Sequence, residues 1–231
     1  MRFSPTFSIL FCFLCLGASA DKPDADVMVL YGGGDLSGWE GRRDLWSAEN
    51  GEIVGRTSDD KPIDANTFLI WKGGKPDNFE LTAQFKIESG NSGIQYRSKI
   101  LDAKKFIVGG YQADIDFGNK YAGIVYEEKG KRRIMANRGE SVTFDEDGEK
   151  SKKRFGDAKA IGLGIHPGKW NDFRVVANGS KLQHFINETM TAEVIDKQSG
   201  EAASSGVIAL QLHRGPAMTV RFKNIKLRKL K

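Results

Sequence analysis

Between Asn91 and Glu127 the chain sets an arginine, two amides and two carboxylates at spacings that a β-strand would turn to one side. Residues two apart in a strand face the same way, about 7 Å from each other. Gln95 and Arg97 therefore share a face, and so do Gln112, Asp114 and Asp116. Ile94, Tyr96, Ala113 and Ile115 alternate with them and point into a core. Such a face can bind a polyhydroxylated ligand, run acid and base chemistry, or stand as plain solvated surface. The residue types alone leave all three open.

The pattern returns near the C-terminus, where Gln211 and His213 alternate with Leu210 and Leu212. Of the other two histidines, His166 precedes Pro167 in a loop and His184 lies on a strand between Leu182 and Ile186, and both read as structural. No H-x-x-x-H or H-x-H pair exists, so a histidine-rich metal site is not expected. Asp114, Asp116 and Glu127 are hard oxygen ligands able to take a divalent cation such as calcium or magnesium. A retaining two-carboxylate glycosidase would place Glu-x-Asp-x-x-Glu on one strand, its carboxyls about 5–5.5 Å apart. That motif is missing, as is a G-x-S-x-G elbow. Asp145, Asp147 and Glu149 surround Gly148 without apolar partners and read as solvated loop charge.

The elements that must carry these residues are short strands, with strand signals about every ten residues. Phe79, Leu81, Ala83, Phe85 and Ile87 alternate with polar residues and define an inward face. Trp46–Glu49 and Glu52–Gly55 flank Asn50-Gly51, a turn needing positive φ at both positions. Asp172–Ala177 with Lys181–Ile186 forms a second hairpin, and Asn187 opens the turn that follows. Val207–His213 and Met218–Leu227 form the last pair. Glu140–Lys159 reads as one long charged loop. The fold class expected is all-β, a two-sheet antiparallel sandwich, in one domain over residues 21–231.

Of 231 residues, 39% are hydrophobic and 28% charged, the balance of a globular chain. Met1–Ala20 carries Arg2, an apolar run Ile9–Leu16 and Ala18-Ser19-Ala20, the order of a secretory leader cut before Asp21. The run is too short to span a membrane, and no later stretch approaches that length. Both cysteines, Cys12 and Cys15, fall inside the leader, so the mature chain is expected to have no disulfide or thiol nucleophile. The 35 Lys and Arg less Arg2, against 30 Asp and Glu, leave a surplus of four. These charges are not interleaved with aromatic residues, so nucleic acid is not an expected partner.

Several motifs in order carry a resemblance: L-Y-G-G-G-D-L-S-G-W, W-S-x-x-x-G-x-I-V-G, N-S-G-I-Q-Y-R, G-Y-Q-x-D-I, W-N-x-F-R-V-V-A-x-G and A-L-Q-L-H-x-G-P. From about Val27 to Leu227 the chain resembles the 3-keto-disaccharide hydrolase family, also described as a 3-keto-glucoside lyase and hydratase domain. The resemblance implies a concanavalin A-like jelly roll and secretion or periplasmic residence. Its implied substrate is a small carbohydrate, a glycoside whose C3 hydroxyl has been oxidised to a ketone. It also implies elimination of the C1 substituent followed by hydration, and it places Arg97, Tyr126, Gln211 and His213 in a polar groove. Some branches carry Glu at the position of Gln112 and Gln at that of Asp114, which leaves the base open.

On that reading Asp114 or His213 is the base, and Arg97 steadies charge on the C3 oxygen. Tyr126 or Glu127 protonates the leaving oxygen, while Gln95, Gln112 and Gln211 orient hydroxyls, with Tyr111 and Asp116 also contacting substrate. Two other classes compete. One is a non-catalytic glycan-binding module with Trp39, Trp71 or Tyr111 as stacking platforms, and the other an ordinary two-carboxylate glycoside hydrolase.

Overall fold

The computed structural model describes Met1 and residues 26–231. The expected leader, its cleavage point and both cysteines lie outside the described residues. Strand Phe79–Ser89 alternates as its sequence requires: Phe79, Leu81, Ala83, Phe85 and Ile87 are buried and the residues between them are not. It pairs on one side with Asn171–Asn178 and on the other with Thr219–Lys229, at the middle of a ten-stranded sheet. A seven-stranded sheet packs against this one, in the order Ile134–Ala136, Val125–Glu128, Ile107–Asp116, Asn91–Asp102, Val207–Leu212, Thr67–Trp71, Trp39–Glu40. All pairings are antiparallel except that of Glu140–Phe144 with Thr189–Asp196. The expected two-sheet antiparallel sandwich is therefore what forms, with the main core between the sheets.

Turn chemistry sets the hairpins. Asn50 and Gly51 take φ of 51° and 78°, and Asn187 and Glu188 take 48° and 64°, the left-handed pair that matches strand twist. The segment expected as one long loop is folded. Glu140–Phe144 and Lys150–Arg154 make a hairpin whose turn is held by Asp145, which accepts from the backbone N–H groups of Asp147 (3.1 Å) and Glu149 (2.8 Å). Helix Ala158–Leu163 follows, capped by Asp157. Lys150–Arg154 is an edge strand exposed on both faces, so it has no alternation to read, and its charges discourage pairing with another chain.

Strands Asn91–Asp102 and Ile107–Asp116 position the site. Ile94, Tyr96, Tyr111, Ala113 and Ile115 enter the main core. Gln95 and Gln112 stand opposite each other on the outer face of the seven-stranded sheet. Part of that face is apolar, a small cluster of Phe68, Ile70, Val108, Val207 and Ala209. The rest is polar.

Candidate active site

A pocket of about 730 Å³ opens on the polar part of this outer face. Gln112 and Asp114 come to it from one strand, and Tyr126 and Glu128 from the next, because Gln112 lies opposite Tyr126 in the ladder. His213 enters from just beyond strand Val207–Leu212, and Lys129, Arg133 and Arg214 supply cations. Arg133 lies over the Tyr126 ring, 5.4 Å from its centroid.

Beneath the floor runs a buried chain of amides. Ser98 Oγ donates to Gln95 Oε1 (2.7 Å), Gln95 Nε2 to Gln112 Oε1 (2.6 Å), and Gln112 Nε2 to Asp114 Oδ1 (2.7 Å). Gln211 Nε2 also donates to Gln112 Oε1 (2.8 Å), so that carbonyl is filled from two sides and the Gln112 N–H is left facing Asp114. Glu128 is held by Asn66 Nδ2 at 3.0 Å. Gly93 makes room for this arrangement, since a Cβ there would come within 2.6 Å of the Gln112 side chain.

Burial pushes the Asp114 carboxyl up to about 8, with the charges of Asp116 and Glu128 adding to the rise while hydrogen bonds from Gln112 and Asn91 oppose it. Burial likewise raises Tyr126 above the usual phenol value, opposed by the Arg133 charge. A carboxyl poised near neutrality in a polar pocket can give or take a proton at physiological pH.

The structure brings Gln112, Asp114 and Asp116, which alternation set on one face, together with Tyr126 and His213, and moves other candidates away. Arg97 does not reach the pocket. Two residues, Arg97 and Ser98, stand opposite Gly110, a bulge in which Arg97 takes φ of 45° and its side chain leaves the polar face. Its guanidinium instead donates to the carbonyls of Asp77 (2.8 Å), Gly179 (2.7 Å) and Ala203 (3.3 Å) and to Asn78 Oδ1 (3.0 Å), while Ser98 takes the place beside Gln95. Glu127 faces the sandwich interior, because it is adjacent to Tyr126 and must point the other way. It pairs with Arg132, which also binds Asp196 at 2.7 Å. Tyr111, adjacent to Gln112, is likewise buried in the core with its hydroxyl on Asp196. Trp39 and Trp71 are buried as well and offer no open stacking face at this pocket.

Gln95 and Gln211 are fully buried below the floor and act through Gln112 rather than on a ligand. Asp116 lines the pocket, yet its carboxylate is engaged by the backbone N–H groups of Gly118, Lys120 and Tyr121. His184 is structural, as read: it bonds the Tyr96 hydroxyl (2.9 Å) and the Ile124 carbonyl (3.0 Å), and burial holds it down to about 4. The expected cation ligands are not assembled, since Glu127 and Asp114 point to opposite faces. Among the described residues no group of three or more His, Cys, Asp or Glu side chains is placed to hold a metal ion. Glu128 was missed, although its two-residue spacing from Tyr126 was the available signal.

A family model described as a 3-keto-alpha-glucoside-1,2-lyase-like domain matches residues 26–228. No curated protein matches the chain. A crystal structure from Parabacteroides distasonis, assigned as a glycosyl hydrolase, superposes with a TM-score of 0.59 at 20% identity, covering 88% of this chain and 99% of that one. The carbohydrate binding module CBM66 from Bacillus subtilis gives 0.55 at 15% identity, covering 83% and 96%. A Bacillus subtilis protein with a galectin-like fold gives 0.52 at 11%, covering 84% and 90%. At these identities the likeness is one of fold, the jelly roll. Among the described residues no helix is long and apolar enough to cross a membrane.

Proposed function

The chain belongs to the 3-keto-alpha-glucoside-1,2-lyase-like domain family, and from that premise we propose that it cleaves 3-keto-glycosides by elimination beside the ketone, followed by hydration. Membership makes it a carbohydrate-active domain. The observation that carries the finer reading is the buried Asp114 carboxyl, raised to about 8 on the floor of a polar pocket and accompanied there by Tyr126, Glu128 and His213. Neither a solvated face nor a simple hydroxyl-binding surface needs a carboxyl so poised.

In a 3-keto-glycoside the ketone acidifies the C2 proton. A base takes that proton, and the C2–H electrons move toward the C3 oxygen. They return to form the C1–C2 double bond and expel the C1 oxygen, which gains a proton as it leaves. Water then adds its oxygen to C1 and a hydrogen to C2, giving a 3-keto sugar and a free alcohol. Asp114 is mainly protonated at neutral pH and suits the acid role, with His213 as the base across the pocket. Since Arg97 lies elsewhere, Lys129, Arg133 and Arg214 are the cations available to the charge growing on the C3 oxygen. Gln112 and Asn66 suit the orientation of hydroxyls. The leader read in the sequence supports export.

Incubation of a 3-keto-disaccharide and its unoxidised parent in deuterated water tests this. Cleavage of the keto sugar alone, with deuterium at C2 of the product, is expected. Cleavage of the parent, or of the keto sugar without label at C2, overturns the proposal. Binding of both with turnover of neither would instead identify a glycan-binding module.

A further inference from the structure

One wall of the pocket is a turn that carries no periodic signal. Residues 117–124 join Ile107–Asp116 to Val125–Glu128 and bring Tyr121, a residue 36% exposed, to the pocket. The turn is tied down along its length. The Asp116 carboxylate accepts the backbone N–H groups of Gly118 (3.3 Å), Lys120 (2.8 Å) and Tyr121 (3.1 Å). Asn119 Nδ2 donates to the Gly162 carbonyl at 2.8 Å, which fixes the turn to helix Ala158–Leu163. Arg138 Nη1 donates to Asn119 O (2.8 Å), Asn119 Oδ1 (2.9 Å) and Ala122 O (3.0 Å). Gly123, at φ of 84°, closes against Thr191, where a Cβ would come within 2.8 Å of the Thr191 side chain.

A carboxylate and an arginine are thus committed to holding the backbone that carries Tyr121, and Lys120 Nζ lies over one face of its ring, 4.9 Å from the centroid. Asp116 shares a strand face with Asp114, one repeat of about 7 Å along. Tyr121 is pinned to Asp116 by its own N–H, and it lines the same pocket as the Asp114 carboxyl. There it would meet the group attached at C1. A pyranose ring and an aromatic aglycone share the chemistry that such a ring recognises, a flat surface with an apolar face.

We propose that Tyr121 is the stacking wall of an aglycone subsite, selective for glycosides whose leaving group carries a ring, with Asp116 and Arg138 as positioning residues. This rests on the reading of the pocket as a glycoside site. Protein with ¹³C-labelled tyrosine rings, titrated with methyl α-glucoside, phenyl α-glucoside and maltose, provides the test without turnover. Phenyl glucoside or maltose is expected to shift the Tyr121 ring signals and to bind roughly three- to tenfold more tightly than methyl glucoside. Response to phenyl glucoside alone marks an aromatic aglycone, and response to maltose alone a sugar. Tyr121→Ala should abolish the preference while leaving methyl glucoside binding unchanged, and Tyr121→Trp should keep it. Asp116→Ala should abolish it with the ring still present.

The inference is overturned if no ring-bearing compound moves the wild-type Tyr121 signals, if ring-bearing compounds bind no better than methyl glucoside, or if Tyr121→Ala weakens all three compounds alike. Cleavage of a 3-keto-disaccharide without any ring preference would defeat the subsite alone. A ring preference without cleavage would defeat the proposed chemistry alone.

Discussion

At Asp114 the folding equilibrium is tied to pH with a definite sign. The carboxyl is raised from 3.8 to about 8, so between those values the folded chain keeps a proton that the unfolded chain has released. Its contribution is fully present below 3.8, falls as pH rises through the window and levels off above about 8. Asp114→Asn should flatten that slope and leave the variant more stable than wild type above the window, by an amount on the order of a few kcal/mol. Urea denaturation at a series of pH values measures it. The same variant should lose about 10²- to 10⁴-fold in turnover. Such a residue was legible as polar and on the outward face of a strand. Its raised proton affinity was not, because that comes first from burial under the walls of the pocket and then from the neighbouring charges of Asp116 and Glu128, and the burial and Glu128 are supplied only by the fold.

Strand alternation explains which readings held and which did not. Phe79 to Ile87 and Gln112 with Asp114 keep an unbroken two-residue period, and the structure follows it. Tyr126 with Glu127, and Tyr111 with Gln112, are adjacent pairs that one strand cannot turn to the same face, so the period itself favoured Glu128 and removed Tyr111. Arg97 fell on a bulge whose sequence gives no warning on its own strand, although Gly109-Gly110 opposite was a hint of irregular backbone. Because Arg97 holds three loops by their carbonyls, Arg97→Lys should cost about 2–4 kcal/mol through lost hydrogen bonds and an imperfectly satisfied buried charge. Turnover of folded protein at low temperature should stay near wild type. Denaturation and activity measured on the same sample separate this latch from a catalytic role, which would reverse the two outcomes.

Across the whole molecule the sandwich was readable because core strands carry their period regardless of partners, whereas the Lys150–Arg154 edge and the Tyr121 turn have none. Phe85 packs at the centre of the core, its ring 5.8 Å from that of Phe173. Phe85→Ala should lower stability by about 3–5 kcal/mol in chemical denaturation, provided the cavity does not collapse. The hairpin formed by Val125–Glu128 and Ile134–Ala136 behaves differently under change. Glu127 and Arg132 serve the interior while their neighbours Glu128 and Arg133 serve the pocket, so each charged position is duplicated one residue away. A slip of one residue would exchange glutamate for glutamate and arginine for arginine. Charge does not reject such an error here, and the rejection falls to the hydrophobic pattern, since Val125 and Met135 would be driven from the core and Tyr126 into it. The native register of this hairpin is therefore selected by which apolar side chains are buried rather than by charge.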